Sequence, residues 1–438
     1  MRGTLNFWEL SPVRRQFSIQ QEKKDFVMIS TRSKKIQRAL RLLGAVLLGW
    51  AAGGTPAQTG PAAPPTVRIG VVAPLSGPSA DFGVPMLNGV KLAVDEINAA
   101  GGYLGRPLEL LVRDDGANPD QGRKASEELV AQKVVAMIAF CNTGVAAKSL
   151  DVFQDNKVPL IIPCATGTQL TARYPAPESY IFRTSAKDAI QASFVVDDIV
   201  KRGWTKVAVF ADSTAYGESG LKDVVAALSG HQLSPVHVAR FPLGVKDVTA
   251  ELKAARDAGA NAVFSYSLGP ESVAIARGRK ALGWKVPQVG AWALSFPAYV
   301  DVAKEAAEDT LMAQTFIVEQ RGNERRAAFL NGYMSKYKLK SVPAAIPAAQ
   351  AYDSTYLLLY GLFGVSNGSL SGPAIKASLE NLKKVYYGAV ATYDRPFSVS
   401  DKDAFSANML LLGAVKGGAV TYAYSADIRR NVFAQRKQ

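Results

Sequence analysis

The sequence predicts an α/β protein with two doubly wound lobes. First, short apolar runs of strand length alternate with segments of helical periodicity, which is typical of parallel sheets covered by helices. Second, this series begins near residue 67 and starts again near residue 189. Third, 438 residues are too many for one ordinary core and suit two domains with extensions.

The first unit runs from Val67 to Gly102 and is predicted to be a strand, a loop and a helix. Val67 to Ala73 is an apolar run of strand length. A turn-rich loop covers 74–83, and apolar residues then recur at helical spacing until Gly101 and Gly102 end the helix. Open α/β sheets bind ligands at the carboxyl ends of their strands, so this loop is predicted to form one wall of a ligand cleft.

Further strands are predicted at 108–112, 134–139 and 158–162, and then at 207–210, 235–241, 262–266 and 286–290. After these strands the alternation stops. Helices are predicted over 324–337, 344–364 and 375–382, with late strands around 385–392 and 408–415. Helices added late indicate that the chain returns to the first lobe and crosses again to the second, and several crossings form a hinge.

This pattern divides the chain into an N-terminal lobe (67–185 and 317–386) and a C-terminal lobe (186–316 and 387–424). Residues 58–66 are rich in proline and predict a linker. Residues 425–438 are predicted to be a basic tail that frays.

The first 57 residues have the features of an export signal, with an N-terminal extension if translation starts at Met1 rather than Met28. A basic segment covers 32–41, an apolar segment interrupted by glycine covers 42–52, and Thr55 to Ala57 supplies small residues before a cleavage point. A basic amphipathic anchor is the alternative. No cysteine follows the apolar segment, which argues against a lipid-modified N-terminus.

The charge distribution argues against a nucleic-acid partner. The net charge is +14, but residues 1–57 hold ten Lys or Arg and three Asp or Glu, which accounts for half of the excess. The remainder is spread out, without the aromatic and basic interleaving of a strand-binding groove. The hydrophobic content of 48% is that of a globular protein, and no apolar stretch reaches the roughly 18 residues of a membrane span.

Catalytic and metal-binding signals are weak, so we expect no enzyme, no metal and no cofactor. His231 and His237 flank the start of a strand, away from the loops at its far end, and are predicted to lie at the surface. Asp114 and Asp115 lack further ligands at metal-binding spacing, and a loop role fits them better. The enzymatic alternative is a Cys141 nucleophile, for which the sequence offers no suitable histidine.

Several strand-to-helix loops carry hydroxyl, amide or aromatic side chains. Taken singly, Asn and Thr at a helix start are most often caps. Together, uncapped N–H groups and nearby hydroxyls at a helix N-terminus bind an anion such as a carboxylate. The residues concerned are Ser76, Phe82, Asn142, Thr143, Thr166, Thr168 and Tyr216.

The two cysteines, Cys141 and Cys164, each follow one of two consecutive predicted strands. If those strands are neighbours, the cysteines lie one strand spacing apart, about 5 Å, which is within disulfide range. A disulfide and a pair of free buried thiols are the two alternatives.

The chain resembles the periplasmic solute-binding proteins of ABC importers, specifically the leucine/isoleucine/valine-binding group. The matching segments are APLSGPSADFG, NGVKLAVDEINAAGGYLGRPLEL, DD-x-x-x-P at Asp114 to Pro119, and ADSTAYGESG. The resemblance implies the type I periplasmic binding fold, in which two Rossmann-like lobes joined by three crossovers close on a ligand. It also implies a periplasmic, monomeric protein that serves an inner-membrane ABC permease, or alternatively a periplasmic sensor that signals to a receptor or regulator.

The resemblance also implies ligand-binding positions. Phe82 stands where an aromatic residue covers the ligand, and Asn142 where the family has a serine that binds the ligand carboxylate. Cys164 and Thr166 stand where a small residue and a threonine complete that site, and Tyr216 where a tyrosine closes over the ligand. Thr143 and Ala165, their neighbours in the same loops, are also predicted to bind the ligand.

Two departures from the family pattern leave the ligand open. Trp292 stands where the amino-acid binders have an acidic residue that pairs with the ligand ammonium, and Leu268 replaces an aromatic residue. An α-ammonium without a carboxylate partner is costly in a closed cleft, so one hypothesis is an aromatic or short organic acid that stacks on Trp292. In the other, Glu271 or Asp353 supplies the charge and the ligand is an apolar amino acid.

Overall fold

Two sheets of mainly parallel strands form the framework of the chain in the computed structural model. The structure describes residues 65–318, 324–366, 368–434 and 436–437. The predicted export signal (1–57) and most of the predicted linker (58–66) lie outside the described residues. None of the helices in the described ranges combines the length and the apolar character that a membrane crossing requires.

The first sheet has five parallel strands in the order β2-β1-β3-β4-β5. Consecutive residues of its strands point to opposite faces, and both faces are covered: Val71 and Val72 are each fully buried but belong to different core clusters. This explains the unbroken apolar runs in the sequence. The strands are β1 (Val67–Ala73), β2 (Leu108–Asp114), β3 (Ala136–Ala139), β4 (Leu160–Ile162) and β5 (Ile181–Arg183).

Helices follow the first four strands, and their starts are encoded locally. At the clearest start, the Asn118 side chain accepts hydrogen bonds from the N–H groups of Asp120 and Gln121 at 2.9 and 3.0 Å, and Pro119 occupies the first helical position. The helices are α1 (Ala80–Ala99), α2 (Pro119–Ala131), α3 (Thr143–Asp155) and the single turn α4 (Gln169–Ala172).

The second sheet has seven strands in the order β14-β13-β10-β9-β8-β6-β7. Its parallel part repeats the alternation of the first sheet, and β13 and β14 extend it in antiparallel fashion. The strands are β6 (Val207–Asp212), β7 (His237–Phe241), β8 (Ala262–Tyr266), β9 (Gln288–Gly290), β10 (Leu311–Gln314), β13 (Leu411–Lys416) and β14 (Ala419–Tyr422). The helices are α5 (Asp188–Lys201), α6 (Ala215–Gly230), α7 (Thr249–Asp257), α8 (Gly269–Ala281) and α9 (Pro297–Ala303).

After β10 the chain returns to the first sheet through α10 (Glu324–Tyr337), α11 (Ala345–Phe363) and α12 (Gly372–Leu379). Helix α11 packs closely on α1. A Cβ atom at Gly89 would lie 2.1 Å from the carbonyl oxygen of Ala348, so only glycine permits this approach of the two backbones. The chain then crosses again to supply β13 and β14 to the second sheet.

The predicted fold class, two doubly wound α/β lobes of the type I periplasmic binding fold, is confirmed. Details differ from the sequence-based expectation. Strand β3 begins at Ala136 rather than 134, because Val135 and its predecessors belong to the preceding turn. The late strand expected around 385–392 is two short strands, β11 (Tyr386–Tyr387) and β12 (Thr392–Tyr393), which form a small third sheet with β15 (Phe433–Ala434).

The expectation that residues 425–438 fray is wrong. Strand β15 pairs in parallel with β12, and Val432 and Ala434 are buried. The basic side chains near the end are engaged as well: Arg436 pairs with Asp394 and Lys437 with Asp401. The basic charge of this segment predicted that it is solvated, but its buried apolar residues pack it against the rest of the chain.

Candidate functional site

A cavity of about 590 Å³ lies between the carboxyl-terminal edges of the two sheets. Its walls come from the segments that follow β1, β2, β3 and β4 on one side and from those that follow β6, β7, β8 and β9 on the other. This is the position that parallel α/β sheets offer to a ligand, and the volume suits a small molecule. We call it the cleft.

Seven of the nine residues predicted to bind a ligand line the cleft: Phe82, Asn142, Thr143, Thr166, Tyr216, Leu268 and Trp292. The other two, Cys164 and Ala165, do not. Cys164 is fully buried and forms a disulfide with Cys141, which does line the cleft. Ala165 packs into the core cluster on the far face of the first sheet.

The disulfide joins the loops that follow β3 and β4, which are neighbours in the sheet. The two Cα atoms are 4.5 Å apart. Because the bond fixes these two loops to each other, it holds Asn142 and Thr143 close to Thr166. With its sulfur bonded, Cys141 has no thiolate to offer as a nucleophile.

The start of α3 forms a candidate carboxylate subsite made of Ser79, Asn142, Thr143 and Thr166. Asn142 occupies the N-cap position, but its side chain does not cap the helix. Its Nδ2 donates instead to Ser79 Oγ at 3.1 Å, while its Oδ1 is buried without a hydrogen-bond partner. The first N–H groups of α3 therefore have no side-chain cap and can bind an anion with the help of the helix dipole.

Aromatic rings cover another part of the cleft. The ring of Phe82 lies 5.3 Å from that of Phe296, between centroids, and Phe296 packs edge-on against Trp292 at 5.0 Å. Phe296 was not singled out from the sequence, because its position depends on how the short turn after Trp292 folds back. These three rings join the two halves of the cleft and offer an apolar surface to a ligand.

Two acidic side chains also line the cleft, Asp81 from α1 and Glu271 from α8. Glu271 is 3% exposed: its Oε1 accepts a hydrogen bond from the Gly244 N–H at 2.8 Å, and its Oε2 has no partner. Neither oxygen of Asp81 has a hydrogen bond of good geometry. Burial raises the pKa of Asp81 to about 6, although nearby backbone N–H groups, including that of Ala298, lower it.

Asp353, the other acid considered as a partner for a ligand ammonium, lies elsewhere. It is fully buried and accepts hydrogen bonds from Tyr386, Ala389, Val390 and Tyr393. Its role is to hold the third crossing of the chain to α11. Of the two acids considered, the structure places only Glu271 in the cleft.

Behind the cleft, Asp188 occupies the start of α5 and is fully buried. Burial raises its pKa to about 7, opposed by the hydroxyls of Thr166 and Tyr266. The ring of Tyr266 packs against that of Tyr216 at 5.0 Å, and burial raises the pKa of both phenols well above their ordinary value. The Asp188 N–H also donates to the carbonyl oxygen of Thr166 at 2.9 Å, so Asp188 supports Thr166 directly and Tyr216 only through Tyr266.

Asp212, at the end of β6, positions two cleft loops. Its Oδ1 accepts a hydrogen bond from the Thr214 N–H at 3.0 Å, and its Oδ2 accepts one from the Leu268 N–H at 3.1 Å. Thr214 in turn caps α6, which carries Tyr216. On the other side, Gln191 accepts a hydrogen bond from the Trp292 N–H at 3.0 Å.

The remaining polar candidates have structural roles. Asp114 accepts hydrogen bonds from the N–H groups of Leu75 and Gly116, and Asp115 accepts one from that of Ala117, so both stabilise loops. Across the described ranges no cluster of acidic, histidine or cysteine side chains has the composition of a metal site. His231 is exposed and contacts Asp197, and His237 is half-buried at the start of β7; neither lines the cleft.

A cleft of this kind between two doubly wound lobes is the architecture of a two-lobed ligand-binding protein. The chain belongs to the periplasmic binding protein family, which it matches over residues 66–418. Among curated relatives, the Leu/Ile/Val-binding protein homolog 3 of Brucella melitensis biotype 1 is 31% identical over 313 residues, or 71% of this chain and 82% of the relative. The family resemblance inferred from the sequence is confirmed.

Solved structures show the same fold with different ligands. The LivJ substrate-binding protein of Streptococcus pneumoniae, in complex with isoleucine, is 24% identical with a TM-score of 0.69 and covers 81% of this chain and 97% of its own. A solute-binding protein of R. palustris in complex with benzoate is 19% identical with a TM-score of 0.70 and covers 82% and 95%. Both likenesses concern the fold.

Proposed function

We propose that this protein binds a small carboxylate-bearing solute in the cleft between its lobes, in the periplasm, and delivers it as a monomer to an ABC permease in the inner membrane. The lobes in this proposal are residues 67–185 with 317–386 and residues 186–316 with 387–424. Ligand contacts to both lobes favour the closed state, and the permease recognises that state. The uncapped start of α3 beside Asn142 carries the proposal.

The ligand in this proposal is an apolar amino acid. Its carboxylate binds the α3 subsite, its side chain packs on Phe82 and Trp292, and its ammonium pairs with Glu271. The single observation behind the last point is the buried Oε2 of Glu271, which lines the cleft and lacks a partner. A buried carboxylate oxygen without a partner is costly, and a ligand ammonium removes that cost.

Trp292 supports a second candidate, an aromatic or short organic acid without an ammonium group. In this arrangement the indole stacks on the ligand, and Glu271 keeps only its hydrogen bond from Gly244. Solved proteins of the same fold include one in complex with isoleucine and one in complex with benzoate, which supports testing both ligand types.

Isothermal titration calorimetry with leucine and with benzoate distinguishes the two candidates. If the ligand is an amino acid, leucine binds. Glu271→Gln keeps the hydrogen bond from Gly244 but removes the negative charge, so it weakens leucine binding about tenfold or more. This is the contribution of one hydrogen bond to a charged group. The matched control Glu305→Gln, at an exposed position, leaves binding unchanged. Benzoate binding without leucine binding supports the second candidate. If neither these two ligands nor a broad panel of carboxylates binds, the proposed function is wrong.

A further inference from the structure

A second cavity, of about 650 Å³, lies at the opposite edge of the second sheet from the cleft. Its lining residues come from the starts of β9 and β10 and from the ends of α5 and α8. Residues of β13 and β14 at the same edge of the sheet complete the lining. No residue lines both cavities. The cleft proposal leaves this second cavity unexplained.

Arg279, in the last turn of α8, is the most buried cation of this cavity at 9% exposure. One Nη atom donates to the carbonyl oxygen of Val286, while Nε is buried without a hydrogen-bond partner. Among the described residues, no carboxylate lies within salt-bridge distance of this guanidinium. A buried guanidinium without a counterion is unfavourable, and burial accordingly lowers its pKa.

Two other groups of the cavity are also without partners. Lys285, exposed in the loop between α8 and β9, forms no salt bridge with the described acidic residues. Gln288 is 1% exposed, and its Oε1 has no hydrogen-bond partner. The buried Arg279 lacks a counterion and the buried Gln288 Oε1 lacks a hydrogen-bond donor, while the exposed Lys285 adds a second, solvated positive charge.

The other charged residues of the cavity are already engaged. Arg202 pairs with Asp198 at 2.6 Å and lies over the ring of Trp204. Lys416 pairs with Asp309, and Glu308 accepts a hydrogen bond from the Gly417 N–H at 3.0 Å. Glu308 opposes an anion and Lys285 favours one, but both are exposed and water screens both charges, so the buried Arg279 decides the balance. The unmatched charge inside the cavity is therefore positive.

We propose that this second cavity binds a phosphate-type anion, either free hydrogen phosphate or a phosphomonoester. Arg279 and Lys285 bind the anionic oxygens, and Gln288 Oε1 accepts a hydrogen bond from a protonated oxygen of the ligand. A guanidinium suits the geometry of phosphate oxygens. At neutral pH hydrogen phosphate carries this protonated oxygen, and a phosphomonoester, whose second pKa is about 6, carries it only in its monoanionic fraction, whereas sulfate and a simple carboxylate have no such donor.

Calorimetric titration of the purified full chain with inorganic phosphate, glycerol phosphate and sulfate tests this proposal. We expect inorganic phosphate or glycerol phosphate to bind at least tenfold more tightly than sulfate. Whichever of the two binds more tightly shows whether the ligand is free phosphate or a phosphomonoester. Lys285→Ala lowers the affinity at least tenfold, whereas Lys253→Ala, at an exposed lysine of α7 outside the cavity, leaves it unchanged. Arg279→Lys keeps the charge but removes Nε, and it also weakens binding.

The cleft variant Asn142→Asp distinguishes the two cavities, because it places a negative charge beside the start of α3 without touching Arg279. Phosphate binding that survives Asn142→Asp and falls with Lys285→Ala supports the proposal. The proposal is overturned if Asn142→Asp abolishes phosphate binding or if Lys285→Ala leaves it unchanged. It is also overturned if no binding is detected at millimolar phosphate.

Discussion

The hydroxyl of Thr168 donates a hydrogen bond of 2.7 Å to the carboxylate of Asp223. Thr168 follows the last loop of the first sheet that reaches the cleft, and Asp223 lies on α6 beside the second sheet. A second bond, from Ser219 to Gln169 at 2.9 Å, runs parallel to it. These two bonds connect α6 to the segment after β4 next to the cleft, so under the proposed function they favour the closed state independently of any ligand.

Replacing Thr168 by valine tests this contact. The variant loses the bond to Asp223 and also the bond that the Ala189 N–H donates to the hydroxyl. Each hydrogen bond contributes about 1 kcal/mol, so we expect ligand affinity to fall roughly five- to thirtyfold, with the open state more populated. Calorimetry and small-angle scattering measure the two effects. Thr168→Ser keeps the hydroxyl and is the control; equal losses in both variants would contradict the role of the bond.

The carboxylate subsite is tested at Asn142. Asn142→Asp has nearly the same shape but sets a negative charge beside the ligand carboxylate, and we expect binding to weaken by about two orders of magnitude. Asn142→Ser introduces the serine that the family resemblance implies at this position, and it is expected to retain binding. A thermal-shift titration with the ligand found by calorimetry measures both variants. Undiminished binding by Asn142→Asp would show that the carboxylate binds elsewhere.

The stability of the protein is expected to depend on pH through its buried acids. Burial raises the pKa of Asp115 from its ordinary value near 4 to about 7, and that of Asp188 likewise to about 7. Between pH 4 and 7 the folded chain thus binds protons that the unfolded chain has released, so stability decreases as pH rises through this range. The melting temperature is expected to be lower at pH 8 than at pH 5 at constant ionic strength.

Asp115→Asn reproduces the protonated side chain and keeps the acceptor for the Ala117 N–H. It is expected to make the melting temperature less dependent on pH, while Asp257→Asn, whose side chain is 75% exposed, leaves the dependence as it is. Identical pH profiles for wild type and Asp115→Asn would rule out this residue as a source of the effect.

The disulfide between Cys141 and Cys164, 23 positions apart, is expected to stabilise the fold by about 3 kcal/mol through its effect on the unfolded chain. The double variant Cys141→Ala/Cys164→Ala is expected to unfold at lower denaturant concentration. A thiol assay on the denatured, unreduced protein checks the bond directly, since a bridged protein gives no free thiol. Two free thiols per chain would show that the bond is absent.

The fold class could be predicted from the sequence because the local strand and helix patterns agree with the tertiary structure. The apolar run Val67–Ala73 is a strand buried on both faces, and Asn118 with Pro119 begins a helix without help from distant residues. The resemblance to the family assigned Trp292 and Leu268 to ligand-binding positions, and both line the cleft, each after a strand whose carboxyl end faces it.

What the sequence did not predict depends on contacts between distant segments. Phe296 enters the cleft because a short turn brings it against Phe82 from the other lobe. Asp81 is unremarkable in the sequence, and its burial beside the distant Ala298 appears only in the folded chain. Strand β15 pairs with β12 across some 40 residues, and no local pattern around Phe433 specifies this partner.

Each of the two cavities contains a tryptophan whose fluorescence can report on ligand binding there. Trp292 lies in the cleft, edge-on to Phe296, and Trp204 lies in the second cavity beneath Arg202. Indole emission responds to local polarity and to nearby charge, so occupation of each cavity perturbs a different fluorophore. Trp292→Phe and Trp204→Phe, compared one at a time, assign any emission change to one cavity without an attached dye.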